Sequence, residues 1–264
     1  MQKSLTLCAL VLVSLPAAAQ WTDFPLKNVP RLADGRPNLS APAPKASDGK
    51  PDLSGVWWLR GTTDASGNSG QSRFFLNLAA DAKPGEVTML PWALAFVKEQ
   101  VSMLGKNHPV SKCLPPGVPL SYTAGAPFKI VQTPDLVVVL YEYSNSFRQV
   151  FMDGRALPRD PQPMWAGYSV GRWEGDTLVV ETTGFNDKTW LDGIGHPHTE
   201  KLRVTERIHR RDFGHLEVQV TIDDPSAYEK PWTASIPAEL ATSTDVMEYV
   251  CVENEKSLQH MIGR

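Results

Sequence analysis

The sequence predicts an all-β protein, an antiparallel β-barrel with one helix and an irregular N-terminal arm. After residue 126 the chain is a series of short runs rich in β-branched and aromatic residues, separated by turns containing Gly, Asp and Pro. Only "LPWALAFVKEQVSMLG" (90–105) has good helical periodicity. About eleven short strands and a single helix exclude a βαβ protein and favour a closed barrel over an open sandwich.

Residues 1–19 are predicted to be an export signal. "MQK" supplies the positive start, "LTLCALVLVSLP" the apolar centre, and Ala17, Ala18 and Ala19 the small residues before cleavage. The apolar centre is too short to span a bilayer comfortably, and no later apolar stretch is longer, so we expect no membrane span. The predicted location is the periplasm or the medium outside the cell.

The irregular arm covers residues 20–54 and lacks any periodicity. It carries one phrase twice, "DGRPNLS" (34–40) and "DGKPDLS" (48–54), and an Asp-Gly pair before a basic residue and Pro is typical of turns. Two copies are too few for a repeat fold. Residues 55–264 then form one barrel domain with a helix near 91–105, and four apolar residues recur in that helix at helical spacing: Leu94, Val97, Val101 and Leu104.

Charge and cysteine content restrict the partners and the compartment. The net charge of −3 argues against a nucleic acid or a membrane surface as a partner. Beyond the export signal only Cys113 and Cys251 are cysteines. An even pair in an exported chain predicts a disulfide, and the alternative is two buried free thiols.

Two kinds of phrase resemble known proteins. Gly55-Val56-Trp57 is similar to the G-x-W that opens a lipocalin-like barrel. "DLSGVW", "FMDGR", "GRWEGDTLVVETTGFND" and "LRVTER" resemble a large family of exported, mostly uncharacterised bacterial proteins. The second resemblance implies export and a single β-rich unit, and it brings no catalytic residues with it.

The strand "LRVTERIHR" places a carboxylate on an apolar face. Side chains alternate along a strand, so Glu206 shares its face with Val204 and Ile208 and points inward. Arg148 shares a face with Val150 and is also expected to point inward. The two interpretations are a structural ion pair between such groups, or a carboxylate with a raised pKa beside an arginine that holds an anionic substrate group.

"LDGIGHPHTE" (191–200) concentrates groups that can move protons or bind metals. His196, His198 and Glu200 have the same parity, and on an extended backbone they could present two imidazoles and a carboxylate to one divalent transition metal. Acid–base catalysis by either histidine, with Asp192 or Glu206 orienting it, is the second interpretation. A structural loop is the third. We expect His198 to lie at a barrel mouth and to contribute little to the core.

Residues around this segment are candidates for holding a substrate. "GFNDKTWLDG" crowds polar and aromatic groups into a connection between strands, where barrels bind ligands. The ring of Trp190, with that of Trp165 or Tyr168, could stack on a sugar or aromatic ring, and Asn186 and Asp187 could bond its polar groups. A plain surface loop is the alternative.

These features favour an exported enzyme that performs lyase, isomerase or hydrolase chemistry on a small organic molecule or saccharide. The predicted catalytic residues are His196, His198, Asp192, Glu206 and Arg148. The alternatives are a non-catalytic, lipocalin-like protein that binds a small ligand, and a metal-dependent enzyme. A polar inward face favours the enzyme over the carrier.

Overall fold

The computed structural model describes residues 25–59, 75, 77–251 and 253. The predicted export signal lies outside the described residues. So do four residues of the predicted strand "SRFFLNL" (72–78), and the three that are described, Phe75, Asn77 and Leu78, do not lie in a strand.

Nine strands close into one barrel in chain order, with β9 pairing back to β1. This confirms the predicted all-β barrel. The strands are β1 (Gly55–Trp58), β2 (Phe128–Gln132), β3 (Leu136–Tyr141), β4 (Ser146–Phe151), β5 (Tyr168–Glu174), β6 (Thr177–Thr183), β7 (Arg203–Arg210), β8 (His215–Asp223) and β9 (Trp232–Leu240).

One pair of neighbours departs from the predicted antiparallel pattern. β4 and β5 are parallel and are matched at only two positions, Val150 with Ser169 and Phe151 with Val170. All other neighbouring strands in the barrel are antiparallel. A parallel pair needs a long crossover, and residues 152–167 provide it.

Alternate side chains along the strands point inward and fill the barrel interior. In β7, Val204, Glu206 and Ile208 are buried while Arg203 and Arg207 are exposed, which confirms the predicted face. At one end Trp57 is fully buried, and the guanidinium of Arg210 lies 4.9 Å from the centre of its ring. Burial lowers the pKa of Arg210 to about 10.

The repeated phrase in the arm forms the same turn twice. In each copy the aspartate carboxylate, of Asp34 or Asp48, accepts the backbone N–H two residues later at 3.0 Å. The bridges that close the two turns join Arg31 with Pro37 and Lys45 with Pro51. These bonds confirm the predicted turns.

The predicted helix forms, but its apolar stripe is mostly exposed. Helix α1 (Pro91–Ser102) buries Val97, whereas Leu94 is 41 % and Val101 51 % exposed. Leu104 lies beyond the helix and is 91 % exposed. A second, one-turn helix, α2 (Leu120–Thr123), is buried.

The segment after β9 is not the predicted strand "VMEYVCV" (246–252). Residues 242–250 have no strand structure and follow the outside of β2 and β3, where Lys129 pairs with Asp245 at 2.7 Å. The Cys113–Cys251 disulfide is present, as predicted, with 5.7 Å between the Cα atoms. Within the described residues, no helix is long and apolar enough to cross a membrane.

Candidate ligand-binding site

A groove opens in the barrel wall where β4 and β5 separate. The crossover segment just before Tyr168 does not pair with β4. It runs beside the end of β6 instead, where the N–H of Met164 donates to the carbonyl of Gly184 at 2.8 Å. The first half of β4 therefore faces a gap instead of a neighbouring strand. We call this gap the seam groove. It has a volume of about 890 Å³ and is lined by residues 144–149, 163–169 and several others.

Aromatic side chains form the outer walls of the seam groove. Phe147 is 61 % exposed on β4. Phe151, on the same strand, stacks on Tyr168 of β5 with ring centres 5.2 Å apart, and Trp165 of the crossover also lines the groove. Trp165 and Tyr168, two of the predicted ligand-binding residues, therefore line one groove, and so does Asn186.

The crossover is pressed tightly against the barrel at Gly167. Its φ is +65°, and a Cβ atom there would lie 2.7 Å from the Thr182 Cγ2 atom and 2.8 Å from the Thr183 carbonyl. Only glycine meets both requirements without strain. This residue therefore fixes the wall of the groove that carries Trp165 and Tyr168.

The inner end of the groove reaches a buried ion pair. Arg148 and Glu206, whose side chains are 1 % and 0 % exposed, form a bidentate pair. The other N–H groups of Arg148 donate to Tyr122, Ser169 and Thr182. All five guanidinium N–H groups thus have acceptors.

This network favours the structural interpretation of the pair. Burial alone would lower the pKa of Arg148, but the Glu206 carboxylate raises it well above its ordinary value. The Tyr122 hydroxyl donates to the same carboxylate at 2.8 Å, and burial raises its pKa. An arginine with every donor occupied has none left for a substrate anion.

Tyr141 adds an unsatisfied group to the same region. It lines the seam groove, and among the described residues its buried hydroxyl has no hydrogen-bond partner. The charge of Arg148 lowers the pKa of this hydroxyl and that of Glu206 raises it, and the side chains of Tyr122 and Arg148 come close to it without completing a hydrogen bond. Burial raises the pKa of Tyr141, so the hydroxyl keeps its proton.

The loop after β6 forms a separate cluster around Asp192. The Asp192 carboxylate is fully buried and accepts the backbone N–H groups of Leu78, Gly195 and His196. It also lies 2.5 Å from His196 Nδ1. Because Nδ1 is held by a carboxylate, Nε2 is the proton-accepting atom of the neutral ring. The ring lines an open cavity of about 400 Å³ beside Lys83 and Met89.

His198 lies inside the loop after β6, whereas it was predicted to lie at a barrel mouth and to contribute little to the core. It is buried, and its Nε2 lies 2.6 Å from the Thr189 hydroxyl while Nδ1 lies 3.2 Å from the Thr199 carbonyl. Nδ1 therefore donates and Nε2 accepts. Burial lowers the pKa of His198, which keeps the ring neutral. Both ring nitrogens are bonded to groups of the same loop, so the ring stabilises this loop and has no free nitrogen for a substrate.

The predicted metal ligands do not come together. His196 bonds Asp192, His198 bonds Thr189, and Glu200 is exposed at the rim of the seam groove. In the part of the chain that the structure describes, no three His, Cys, Asp or Glu residues form a group that could hold a metal ion. The prediction assumed an extended backbone from 196 to 200, but the structure has no strand there.

Two further predicted ligand-binding residues lie away from the groove. Trp190 is buried against Phe96 and His108, with ring centres 5.6 Å and 4.7 Å apart. Asp187 is exposed and does not line the seam groove.

Sequence reasoning did not find Tyr141, Tyr122, Ser169 or Thr182. Ser169 and Thr182 carried a usable signal, because each occupies an inward position in a strand and a buried hydroxyl needs a partner. Tyr141 carried the same signal, because it shares the inward face of β3 with Val137 and Val139, but that position does not reveal a groove beside it. Its importance depends on the gap between β4 and β5, which no local pattern indicates.

No known protein family, curated protein or solved structure matches this chain.

Proposed function

We propose that the protein binds a small organic molecule or saccharide in the seam groove. The observation that carries this proposal is the Tyr141 hydroxyl, which is buried at the groove and has no hydrogen-bond partner among the described residues. An unpaired buried hydroxyl costs free energy, and a ligand oxygen that accepts a hydrogen bond from it would remove that cost. The groove volume of about 890 Å³ lies within the range typical of small-molecule sites.

The lining of the groove indicates the chemistry of the ligand. Trp165, Tyr168 and Phe147 offer ring faces and edges, which suit an aromatic ring or the apolar face of a sugar. Because the pKa of Tyr141 is raised, this hydroxyl acts as a donor, and the ligand must bring an acceptor such as a carbonyl, carboxylate or ether oxygen. The ligand we propose combines one ring with one such oxygen.

The proposed place of action is the periplasm or the medium outside the cell. A disulfide between Cys113 and Cys251 is compatible with an oxidising compartment. The net charge of −3 supports a small-molecule ligand over a nucleic acid.

Tyr141→Phe tests the proposal. A panel of aromatic carboxylates and methyl glycosides is screened for binding by thermal shift, and each hit is titrated by calorimetry. Tyr141→Phe should weaken a hit about tenfold, because one hydrogen bond to a buried group is lost. Its free energy of unfolding should stay equal or rise, because the removed hydroxyl has no partner. Tyr228→Phe is the matched control. Tyr228 lines neither this groove nor the cavity beside the disulfide, so affinity should not change, although its hydroxyl loses a bond to the Pro197 carbonyl.

Undiminished affinity in Tyr141→Phe would contradict the proposal. So would a loss of more than about 1 kcal/mol of stability, since that would mean the hydroxyl already has a partner.

Acid–base catalysis is a second candidate function, favoured by the contact between Asp192 and His196. A buried carboxylate that holds Nδ1 and leaves Nε2 toward a cavity is the arrangement of a general base. A panel of lactones, esters and hydroxy acids is assayed for turnover. His196→Gln should slow any reaction about 100-fold or more. His198→Gln should slow it only in proportion to the fraction of protein that unfolds. Equal turnover by His196→Gln and the wild type would exclude this role.

A further inference from the structure

A second cavity lies between the end of helix α1 and the disulfide. Its volume is about 530 Å³, and it shares no lining residue with the seam groove. Val101 and Leu104 form one side, and Ile194 and Tyr249 lie among the residues around it. We call it the disulfide pocket, because Cys113 and Cys251 also line it. Its lining is largely apolar, which suits an apolar molecule of moderate size.

One polar atom in this pocket is left without a partner. Gln100 lines the pocket and is 5 % exposed, and among the described residues its Oε1 atom accepts no hydrogen bond. Gly195 packs against the same side chain, so that a Cβ atom on it would lie 3.0 Å from the Gln100 Cβ. The glutamine is therefore held in place by packing, with its amide oxygen unsatisfied.

The other polar side chains of the pocket do not satisfy this oxygen. His108 also lines the pocket, but its Nδ1 accepts the N–H of Val110 at 3.1 Å and its Nε2 donates to the carbonyl of Asp192 at 3.2 Å. Burial lowers the pKa of His108 and keeps the ring neutral. The Ser111 hydroxyl donates to the carbonyls of Lys106 and His108, and the rings of Tyr143 and Tyr249 stack on each other. Among the described residues, Gln100 Oε1 is thus a buried acceptor that still needs a donor.

We infer that the disulfide pocket binds an apolar small molecule that carries one hydroxyl or N–H donor. The apolar body fills the space beside Val101 and Leu104, which are 51 % and 91 % exposed, and the donor bonds Gln100 Oε1. Covering these two side chains removes apolar surface from water, and the hydrogen bond satisfies a buried group. This site is independent of the ligand proposed for the seam groove, because the groove needs an acceptor on its ligand and this pocket needs a donor.

Two probes that differ only at the donor test the inference. 2-Naphthol has two fused apolar rings and one hydroxyl, and in 2-methylnaphthalene a methyl group replaces the hydroxyl, so that this probe has neither a donor nor an acceptor. Binding of each to the full protein is measured by equilibrium dialysis. The wild type should bind 2-naphthol about tenfold more tightly, because only the hydroxyl can donate to the buried oxygen.

Gln100→Leu separates the hydrogen bond from the pocket itself. It keeps a side chain of similar size and removes the unpaired oxygen, so both probes should bind it equally and its thermal stability should not fall. Tyr141→Phe serves as the control for the seam groove and should leave the preference for 2-naphthol intact.

Three outcomes would overturn the inference. They are equal affinity of the wild type for both probes, a preference for 2-naphthol that survives in Gln100→Leu, and the absence of saturable binding by either probe. A preference that disappears in Tyr141→Phe would place 2-naphthol in the seam groove and would also refute the disulfide pocket.

Discussion

Glu206→Gln should destabilise the protein severely, because it leaves the charge of Arg148 unpaired in the barrel interior. The two side chains are 0 % and 1 % exposed, so water cannot solvate the remaining cation. The neutral acceptors that remain are the hydroxyl groups of Tyr122, Ser169 and Thr182 and the amide oxygen of the new glutamine, and none of them carries a charge. Removing one partner of a buried pair costs about 3–5 kcal/mol. We expect a loss of that size in the free energy of unfolding, measured by urea denaturation followed by circular dichroism.

The same substitution at the surface provides the control. Glu174 pairs with Arg207 at 2.8 Å, and these side chains are 40 % and 46 % exposed. Glu174→Gln should cost less than about 1 kcal/mol, since solvent screens an exposed pair. The chemical change is identical at both positions, so the difference between them measures the effect of burial.

The double variant Arg148→Met, Glu206→Gln should recover most of the lost stability. Ser169 and Thr182 lie 3.0 Å apart and can bond each other, and the Tyr122 hydroxyl can donate to the new amide oxygen. Replacing both charges should leave stability within about 1.5 kcal/mol of the wild type. A cost of less than about 1 kcal/mol for Glu206→Gln, or a double variant no more stable than the single one, would refute the reasoning.

Three further predictions concern pH, backbone strain and the disulfide. Burial lowers the pKa of His108 and His198, so below about pH 6.5 the unfolded chain binds more protons than the folded protein. Stability should therefore fall with decreasing pH, by at most about 1.4 kcal/mol per pH unit for each histidine, and a flat profile from about pH 7.5 to about 5 would contradict this. Gly167→Ala should lower the free energy of unfolding in urea by at least about 1–3 kcal/mol. The loss should be clearly larger than for Gly154→Ala, because Gly154 has a similar φ of +80° but nothing within 4 Å of the new methyl group. Equal losses would show that the crossover moves aside easily. Cys251→Ala removes a disulfide that spans 138 residues of sequence and should cost up to about 5 kcal/mol in the chain-entropy model, and an unchanged melting temperature would argue against that role.

Strand periodicity made much of the barrel predictable from the sequence. Because side chains alternate with a period of two, the apolar neighbours Val204 and Ile208 were enough to place Glu206 inside. The same rule placed Arg148 inside. "VMEYVCV" follows a similar pattern yet forms no strand. β9 already pairs with β8 on one side and β1 on the other, so the strand that precedes this segment has no free edge for it to join.

The candidate sites were less predictable, because they depend on contacts between distant segments. His198 was expected at a barrel mouth with little contribution to the core, whereas Thr189 and the Thr199 carbonyl hold its ring in a buried loop. A local pattern identifies the imidazole but not its partners. Gln100 is similar, since its unpaired oxygen becomes visible only when the loop at Gly195 packs against it.

The number of strands explains why the seam groove exists at all. Around a closed ring, neighbours can alternate between up and down without exception only if their number is even. With nine strands, two neighbours must run in the same direction, and here they are β4 and β5. Their connection has to travel back along the whole height of the barrel, and residues 163–167 of it line the opening. A relative that gained or lost one strand next to β4 could alternate throughout, and it would be expected to lack this opening.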